Sequence, residues 1–329
     1  MAARKVTIVD VARAAGTSVS SASVAMRGDP GVSETTRAHI LRTAERLGYR
    51  PDQRARRLRE QHTRMLGVTF RVGQSFHAEV LENLYRAVGN TGYDLVLSAR
   101  TAERSETDAV ESLLADRCSA LILVSPEISA LDLAAVRRRA PVVTIGSDLL
   151  APGVDSVRAD DRDGVRAGVA HLVELGHRDI TYVDSPGAVL AGERREGYLE
   201  AMKRHDLAPR VLTGGSDEES GIAVATRLLE HGPLPTGLLA HNDMTAFGVL
   251  LTMRARGVDV PGRLSIVGFD DTRLAGLRGV DLTSVSQGAA ALAATAIRRA
   301  VGRAEDLDEP SREFVTPAHL VVRGTTGPS

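Results

Sequence analysis

The sequence predicts a small all-helical unit joined by a short basic linker to a two-lobed α/β core of doubly wound parallel sheets. Three observations carry this. Apolar residues recur at helical spacing through residues 5–48, interrupted at Gly16, at "DPGVS" and at Gly48. From Met65 onward, short β-branched runs alternate with amphipathic stretches of about 12–15 residues, the rhythm of repeated β-α-β units. With 329 residues, 43% of them hydrophobic, the chain has room for two such lobes beside a small unit.

Taken in order, "IVDVARAA" is apolar at helical spacing and ends at Gly16, where a tight turn needs a permissive backbone. Ser18 can cap a second helix over 19–27. "DPGVS" is a turn, and Ser33 with Glu34 opens a third helix that stops at Gly48. "YRPDQRARRLREQHTR" follows as a basic linker with one short helical pattern after Pro51. Strands are predicted at "MLGVTF", "YDLVLSA", "ALILVS", "PVVTIG", "DITYVD", "TGLLAH" and "LSIVGFD".

Charge is distributed unevenly. Residues 1–64 hold 13 Lys and Arg against 6 acids, a net +7, which leaves −8 on residues 65–329 against an overall −1. A basic arm on an acidic body suits a polyanion, although a solvated helical surface can also be basic. The single cysteine, Cys118, excludes an internal disulfide framework and reads as a small buried thiol beside "ALILVS". "MAARKVTIVD" lacks the apolar stretch of an export signal, and no apolar run approaches a membrane span. A cytoplasmic bacterial protein with no membrane partner is expected.

The second helix, "VSSASVAMR", is small and nearly neutral among many arginines. Projected at about 100° per residue, Ala22, Ala25 and Met26 fall on one side, positioned to pack on the first helix through Val11 and Ala14. Ser20, Ser23, Val24 and Arg27 lie opposite, with Val19 and Ser21 at the edges. That face offers hydroxyls, methyl surface and one cation. It suits a helix laid into the DNA major groove, where hydroxyls reach phosphates or bases and valine touches a thymine methyl.

The run "VTIVDVARAAGTSVSSASVAMRG…VSETTRAHILRTAERLGYRPD" closely resembles the headpiece of the LacI/GalR family of bacterial transcription regulators. "HLVELGHRDI", "ERREGYLEAM", "NDMTAFGV", "VPGRLSIVGFDD" and "LTSVSQ" resemble that family's regulatory domain, so the likeness covers essentially the whole chain. It implies a helix-turn-helix headpiece over 1–50, a hinge helix or linker over 51–63, and a periplasmic-binding-protein-like core over 64–329. One lobe would take about 64–159 and 289–316, the other about 160–287 and 317–329. By the same resemblance Val19, Ser20 and Val24 read bases, while Ser18, Ser21, Ser23, Arg27, Ser33 and Thr36 mostly hold phosphates. Ile8 also falls at a DNA-binding position. Val24 stands where the family most often has arginine, the commonest specific guanine reader, so an altered or weakened G contact is expected. "DQRARRLR" aligns with the hinge helix, with Leu58 as a minor-groove wedge and Arg54, Arg56, Arg57 and Arg59 as phosphate partners. About seven residues are too few for a stable lone helix, so without DNA a disordered basic linker is expected.

In the core, polar residues at the carboxyl ends of strands should face a crevice between lobes. Asn242 follows "GLLAH", Asp270 follows "SIVGF", Gln287 follows "LTSVS", and Arg194 opens a helix after "VDSPGAVLAGE". The resemblance makes all four effector-binding, with Phe76 and His77 as walls. Their amide, carboxylate and guanidinium groups supply the directional bonds that a sugar, sugar derivative or nucleobase needs. Gln74-Ser75 replaces the family's usual Asn-Pro, and Ser216 stands near where some sugar-sensing relatives place an aromatic. With no tryptophan in the chain, strong stacking on a sugar ring is not expected.

Two other classes fit less well. A small-molecule (solute) binding protein shares the two-lobed body but has no use for the headpiece; a cytoplasmic one with no specific operator is the alternative reading. For an enzyme, Asp270 and Asp271 are adjacent carboxylates that point apart, and no base, nucleophile turn or phosphate loop accompanies them. The nine histidines lack metal-ligand spacing. Arg194 also admits a purely structural role as an ion-pair residue. The expectation is a ligand-responsive, homodimeric repressor on a pseudo-palindromic double-stranded DNA operator, with no catalytic residue, metal or cofactor. "VVRGTTGPS" shows no apolar heptads, which predicts a dimer and no larger assembly.

Overall fold

A computed structural model describes residues 6–27, 30–49, 63–149, 151–305 and 310–329. Contacts divide the chain into two compact units, Met1–Thr63 and Arg64–Ser329.

The first unit contains α1 (Ile8–Ala14), α2 (Val19–Arg27) and α3 (Glu34–Arg46). Thr7 starts α1 with a reciprocal cap: its hydroxyl accepts from the Asp10 N–H, and the Asp10 carboxylate accepts from the Thr7 N–H at 3.0 Å. Gly16 turns the chain at φ +62°, a conformation costly for any residue with a Cβ. Ser18 and Ser33 cap the next two helices, accepting from the N–H groups of Ser21 (3.0 Å) and Thr36 (3.2 Å). Val11, Ala12 and Ala15 meet Ala22, Ala25 and Ile40 in the core. Ala14, expected in that contact, is instead exposed. Val11 and Ala15 are four apart and share one face, and the buried stripe takes in Ala12 rather than Ala14.

The second unit holds two sheets. The first takes β1 (Met65–Arg71), β2 (Asp94–Arg100), β3 (Ala120–Val124), β4 (Val142–Ile145) and β5 (Val154–Ala159). The second takes β6 (Ile180–Asp184), β7 (Arg210–Thr213), β8 (Gly237–Ala240), β9 (Ser265–Asp270) and β10 (Thr283–Ser286). The chain then returns to each: β11 (Glu313–Thr316) joins the first sheet and β12 (His319–Val321) the second. The orders are β11-β5-β4-β3-β1-β2 and β12-β10-β9-β8-β6-β7. Every pairing is parallel except that of β12, which runs antiparallel to β10 at the edge.

Helices cover both faces of each sheet, and the alternation of side chains shows it. Ile122 and Val124 of β3 join one apolar cluster, while Leu121 and Leu123 join another. In the second sheet Leu238 and Leu239 divide in the same way. The first sheet packs with α4 (Ser75–Val88), α5 (Glu106–Ala115), α6 (Ala130–Arg137) and, late in sequence, Ala289–Ala304. The second packs with α7 (Asp161–Glu174), α8 (Ala191–Arg204), α9 (Glu218–Glu230) and α10 (Asp243–Ala255); Ala289–Ala304 is then α11. The chain crosses between the sheets three times, after Ala159, after Ser286 and after Thr316.

Five strands lie outside the seven predicted runs; one of them, β10, falls in the "LTSVS" stretch before Gln287. β7, β11 and β12 have three or four residues at or beside a sheet edge, too few for a period to register. β5, "VDSVRA", carries Asp155 with no exposure at all. Its carboxylate is tolerated there because Arg299 and Arg303 of α11 approach at 3.1 and 3.0 Å, and the Arg312 N–H donates at 2.9 Å.

Candidate functional site

On the headpiece, the outer side of α2 carries the small polar face expected of it. Val19 is 45% exposed, Ser18 and Ser20 are exposed, and Ser21, Ser23 and Val24 are half-buried. The Ser18 and Ser21 hydroxyls lie 2.9 Å apart, and those of Ser33 and Thr36 lie 2.8 Å apart. Two of the phosphate-binding candidates, Ser18 and Ser33, therefore double as helix caps, which fixes where their hydroxyls point. Ile8 is half-buried against the headpiece core. The Arg27 side chain and residues Arg54, Arg57 and Leu58 lie outside the described residues.

In the second unit a cavity of about 400 Å³ opens at the carboxyl ends of strands from both sheets. That volume is within the range of small-molecule pockets, about 300–1,000 Å³. Phe76, His77, Arg194, Asn242, Asp270 and Gln287 all line it. Asp270 ends β9 and Gln287 follows β10, while Asn242 precedes α10. Arg194 departs from the strand-end pattern: it is the fourth residue of α8 and reaches the cavity from a helix.

Buried bonds orient each group. The Arg194 guanidinium stacks 3.8 Å from the Phe269 ring centroid, donates to Asp161 at 2.6 Å through Nε and to the His241 carbonyl at 2.6 Å through Nη1. Its Nη2 lies 3.8 Å from Asp270, whose Oδ1 accepts from Gln287 Nε2 at 2.6 Å. Asn242 uses both ends of its amide: Oδ1 caps α10 by accepting from the Thr245 N–H at 2.9 Å, and Nδ2 donates to the Ser216 carbonyl at 3.0 Å. Asp271 turns away from Asp270 and pairs with Arg323 at 2.6 Å, as adjacent residues at a strand end should.

Burial governs the titrating groups. The His77 imidazole is pushed down to about 3, first by desolvation and then by Arg100 and Arg71. Its Nδ1 accepts from the Arg71 N–H at 2.9 Å, which leaves Nε2 as the protonated nitrogen. His241 is lowered well below the usual histidine range by burial and by Arg194. Burial raises the Asp270 carboxyl, with Arg194 opposing and Asp243 reinforcing the rise. Both histidines therefore stay neutral at physiological pH, and the cavity's cations are its arginines. Among the described residues no group of three or more His, Cys, Asp or Glu could hold a metal, and no helix is long and apolar enough to cross a membrane.

Residues 7–52 match the bacterial regulatory proteins of the lacI family, and residues 169–326 match the periplasmic binding protein-like domain. The HTH-type transcriptional regulator GalR of Escherichia coli K12 is 32% identical over 325 residues, which cover 96% of this chain and 94% of GalR. The chain belongs to the lacI family. Among solved structures, a LacI transcriptional regulator from a Rhodococcus species is 39% identical with a TM-score of 0.78, covering 80% of this chain and 98% of that one. The lac repressor dimer bound to operator and an anti-inducer is 27% identical with a TM-score of 0.84, covering 98% of this chain and all of that one.

As a lacI-family protein, the chain is a ligand-responsive, DNA-binding transcriptional regulator. Its cavity also involves residues that reading the sequence did not single out. Asp161, which holds Arg194, has no exposure and leaves Oδ1 without a partner. Asp243, beneath Asp270, accepts from Ser284 at 2.6 Å and from the Thr272 N–H at 2.8 Å. Both are acids in the first turn of a helix, an ordinary place for a carboxylate, so the sequence offers little to mark them. Arg71 and Glu127 line the first-sheet side and pair at 2.8 Å.

Proposed function

We propose that this regulator is a homodimeric repressor, each headpiece reading half of a pseudo-palindromic operator, with a small sugar-like effector bound between the lobes. What supports the reading is that six residues from two lobes converge on one cavity at the carboxyl ends of both sheets. Arg194, Asn242, Asp270 and Gln287 would contact the effector, and Phe76 and His77 would wall it. The lac repressor, a relative across the whole chain, is seen as a dimer on its operator.

Coupling follows from where the bonds lie. Gln74 Nε2 of one lobe donates to the Ser216 carbonyl of the other at 3.4 Å, and Glu79 accepts from the Arg273 N–H at 2.9 Å. A ligand that binds both sides changes the balance between lobe arrangements by its differential affinity for them. In the dimer, that shift would alter the spacing of the two hinges and with it their stability on DNA. Val19, Ser20 and Val24 would read bases, and the neighbouring serines, Ser33, Thr36 and Arg27 would hold phosphates, with Ile8 at the edge. Arg54, Arg57 and Leu58 would supply the hinge's phosphate contacts and wedge.

Selection of binding sites from a random-sequence DNA pool with the full chain tests the reading. A two-fold-related motif should emerge, and affinity for it should fall by roughly 10³ between 50 and 200 mM salt if about six phosphates are neutralised. Salt-independent binding, or no enriched motif, would reject it. The same selection with Val24→Arg should move the preferred half-site toward guanine, by about 1–3 kcal/mol for a bidentate contact. Identical preferred sites would show that position 24 does not read bases.

A further inference from the structure

We propose that Asp243 is a positioning residue for the effector: its carboxylate clamps the turn that carries Asp270 and so aims the Asp270 side chain into the cavity. The inference rests on the effector-cavity reading above and extends it to a residue behind the cavity wall. Asp243 has no exposure and does not line the cavity, whereas Asp270 does. β9 ends on two successive residues in left-handed backbone, Asp270 at φ +115° and Asp271 at φ +53°. Residues with a Cβ seldom adopt either conformation, and they keep it only where the surrounding structure over-determines it. The Asp270 side chain does little to fix itself. It receives one hydrogen bond, from Gln287 Nε2 at 2.6 Å, with Arg194 farther off at 3.8 Å. Its direction therefore depends on the backbone beneath it.

Asp243 supplies the missing constraint. Its Oδ2 accepts from the Thr272 N–H at 2.8 Å and from the Thr272 hydroxyl at 2.9 Å. Its Oδ1 accepts from the Ser284 hydroxyl at 2.6 Å, and the Ser284 oxygen in turn accepts from the Asp271 N–H at 3.0 Å. One carboxylate on α10 thus fixes the two peptide groups that follow Asp270 and ties them to β10. Arg323 holds Asp271 from the other side, donating to its carboxylate at 2.6 Å. Room for the clamp is built into β9, since a Cβ at Gly268 would sit 2.3 Å from Asp243 Oδ1. The arrangement is costly. Burial pushes the Asp243 carboxyl up to about 6, against the Ser284 and Thr272 hydrogen bonds that hold it down. A residue that only packed at this place would do so better with an apolar side chain.

Thermal-shift screening of the full chain with glucose, galactose, mannose, ribose and cellobiose selects a probe sugar, and calorimetry then measures its affinity. Asp270→Ala should weaken binding by about 10- to 150-fold, the loss of one hydrogen bond to a charged group. Asp243→Ala should weaken it at least roughly tenfold. The double variant should bind no more than about threefold weaker than Asp270→Ala alone, because the clamp acts through Asp270. Losses that multiply overturn the proposal, as does an Asp243→Ala chain that binds like wild type. Ser284→Ala cuts the clamp more gently and should show the same dependence on Asp270; it decides the matter where Asp243→Ala does not fold. Leu113→Ala, in the apolar core of the first sheet, should melt lower than wild type yet bind the probe equally well. Weakened binding in that variant would tie affinity to stability alone and overturn the positioning role. No binding by any of these sugars removes the sugar-effector reading and the proposal with it, while binding that survives the cut clamp removes the proposal alone.

Discussion

Asp161→Ala should lower the stability of the second unit by about 3–5 kcal/mol, the usual cost of removing one partner from a buried ion pair. Asp161 has no exposure and Arg194 only 6%, so the guanidinium left behind is poorly solvated. For a unit of this size the loss corresponds to a fall in melting temperature of roughly 6–20 °C. Asp161→Asn should cost less, because an amide oxygen still accepts from Nε. Effector binding should fall as well, for a geometric reason. With Asp161 gone, Arg194 can close the 3.8 Å gap to Asp270 and occupy the carboxylate that faces the cavity. Calorimetric unfolding of wild type and both variants measures the first effect, and titration with a ligand from the thermal-shift screen measures the second. Unchanged melting in Asp161→Ala would mean that Arg194 has found another partner at no cost, and that Asp161 does not hold it in place.

Gly248→Ala is expected to destabilise the same unit by about 2 kcal/mol or more, although alanine is ordinarily better than glycine inside a helix by about 0.5–1 kcal/mol. The sign is decided by what the new methyl would meet. A Cβ at Gly248 would sit 2.1 Å from the Glu218 carbonyl oxygen and 2.8 Å from the Ile222 nitrogen. At the facing Gly221, one would sit 2.2 Å from the Thr245 carbonyl oxygen. These are backbone atoms that cannot rotate aside, so α9 and α10 must move apart. The starts of these two helices carry Ser216, Asp217 and Asn242, tied by the Asn242–Ser216 bond and by Thr245 Oγ1 donating to the Gly215 carbonyl at 2.7 Å. Separation should therefore weaken effector binding along with stability. Gly192→Ala in α8 is the control: its Cβ would meet nothing within 4 Å, so that variant should melt no lower than wild type. Equal melting of Gly248→Ala and wild type would show that the crossing can relax without cost.

Local signals carried most of the headpiece. Helix starts were legible at Ser18 and Ser33 because a cap depends on residues three apart, and the turn at Gly16 because a positive φ favours glycine. Ala14 was misplaced because helical periodicity defines a stripe only to within one residue on either flank, and the flank that is buried is Ala12's. In the core, long apolar runs such as "ALILV" announced buried strands, whereas "VDSVRA" did not. Its buried Asp155 depends on two arginines more than 140 residues later in the chain.

The cavity divides along the same line. That Asn242, Asp270 and Gln287 stand at or just after strand ends, and that Phe76 and His77 follow β1, was legible because strand position is local and open α/β sheets leave their crevice at those ends. Sequence likeness to a family added Arg194 and implied an effector-binding role for all of them. By itself, then, the sequence determined the helical headpiece followed by alternating strands and helices, the basic headpiece charge with its small polar helix face, and the set of polar groups at the carboxyl ends of the strands. Only the tertiary structure decided how those groups are engaged: that Asn242 is held as a cap, that His77 is neutral, and that Arg194 is already bound to Asp161. Partnership between buried charges depends on which side chains the fold brings within about 3 Å of one another in a poorly screened interior. Asp161 and Arg194 are 33 residues apart, and neither residue's own neighbours reveal the other.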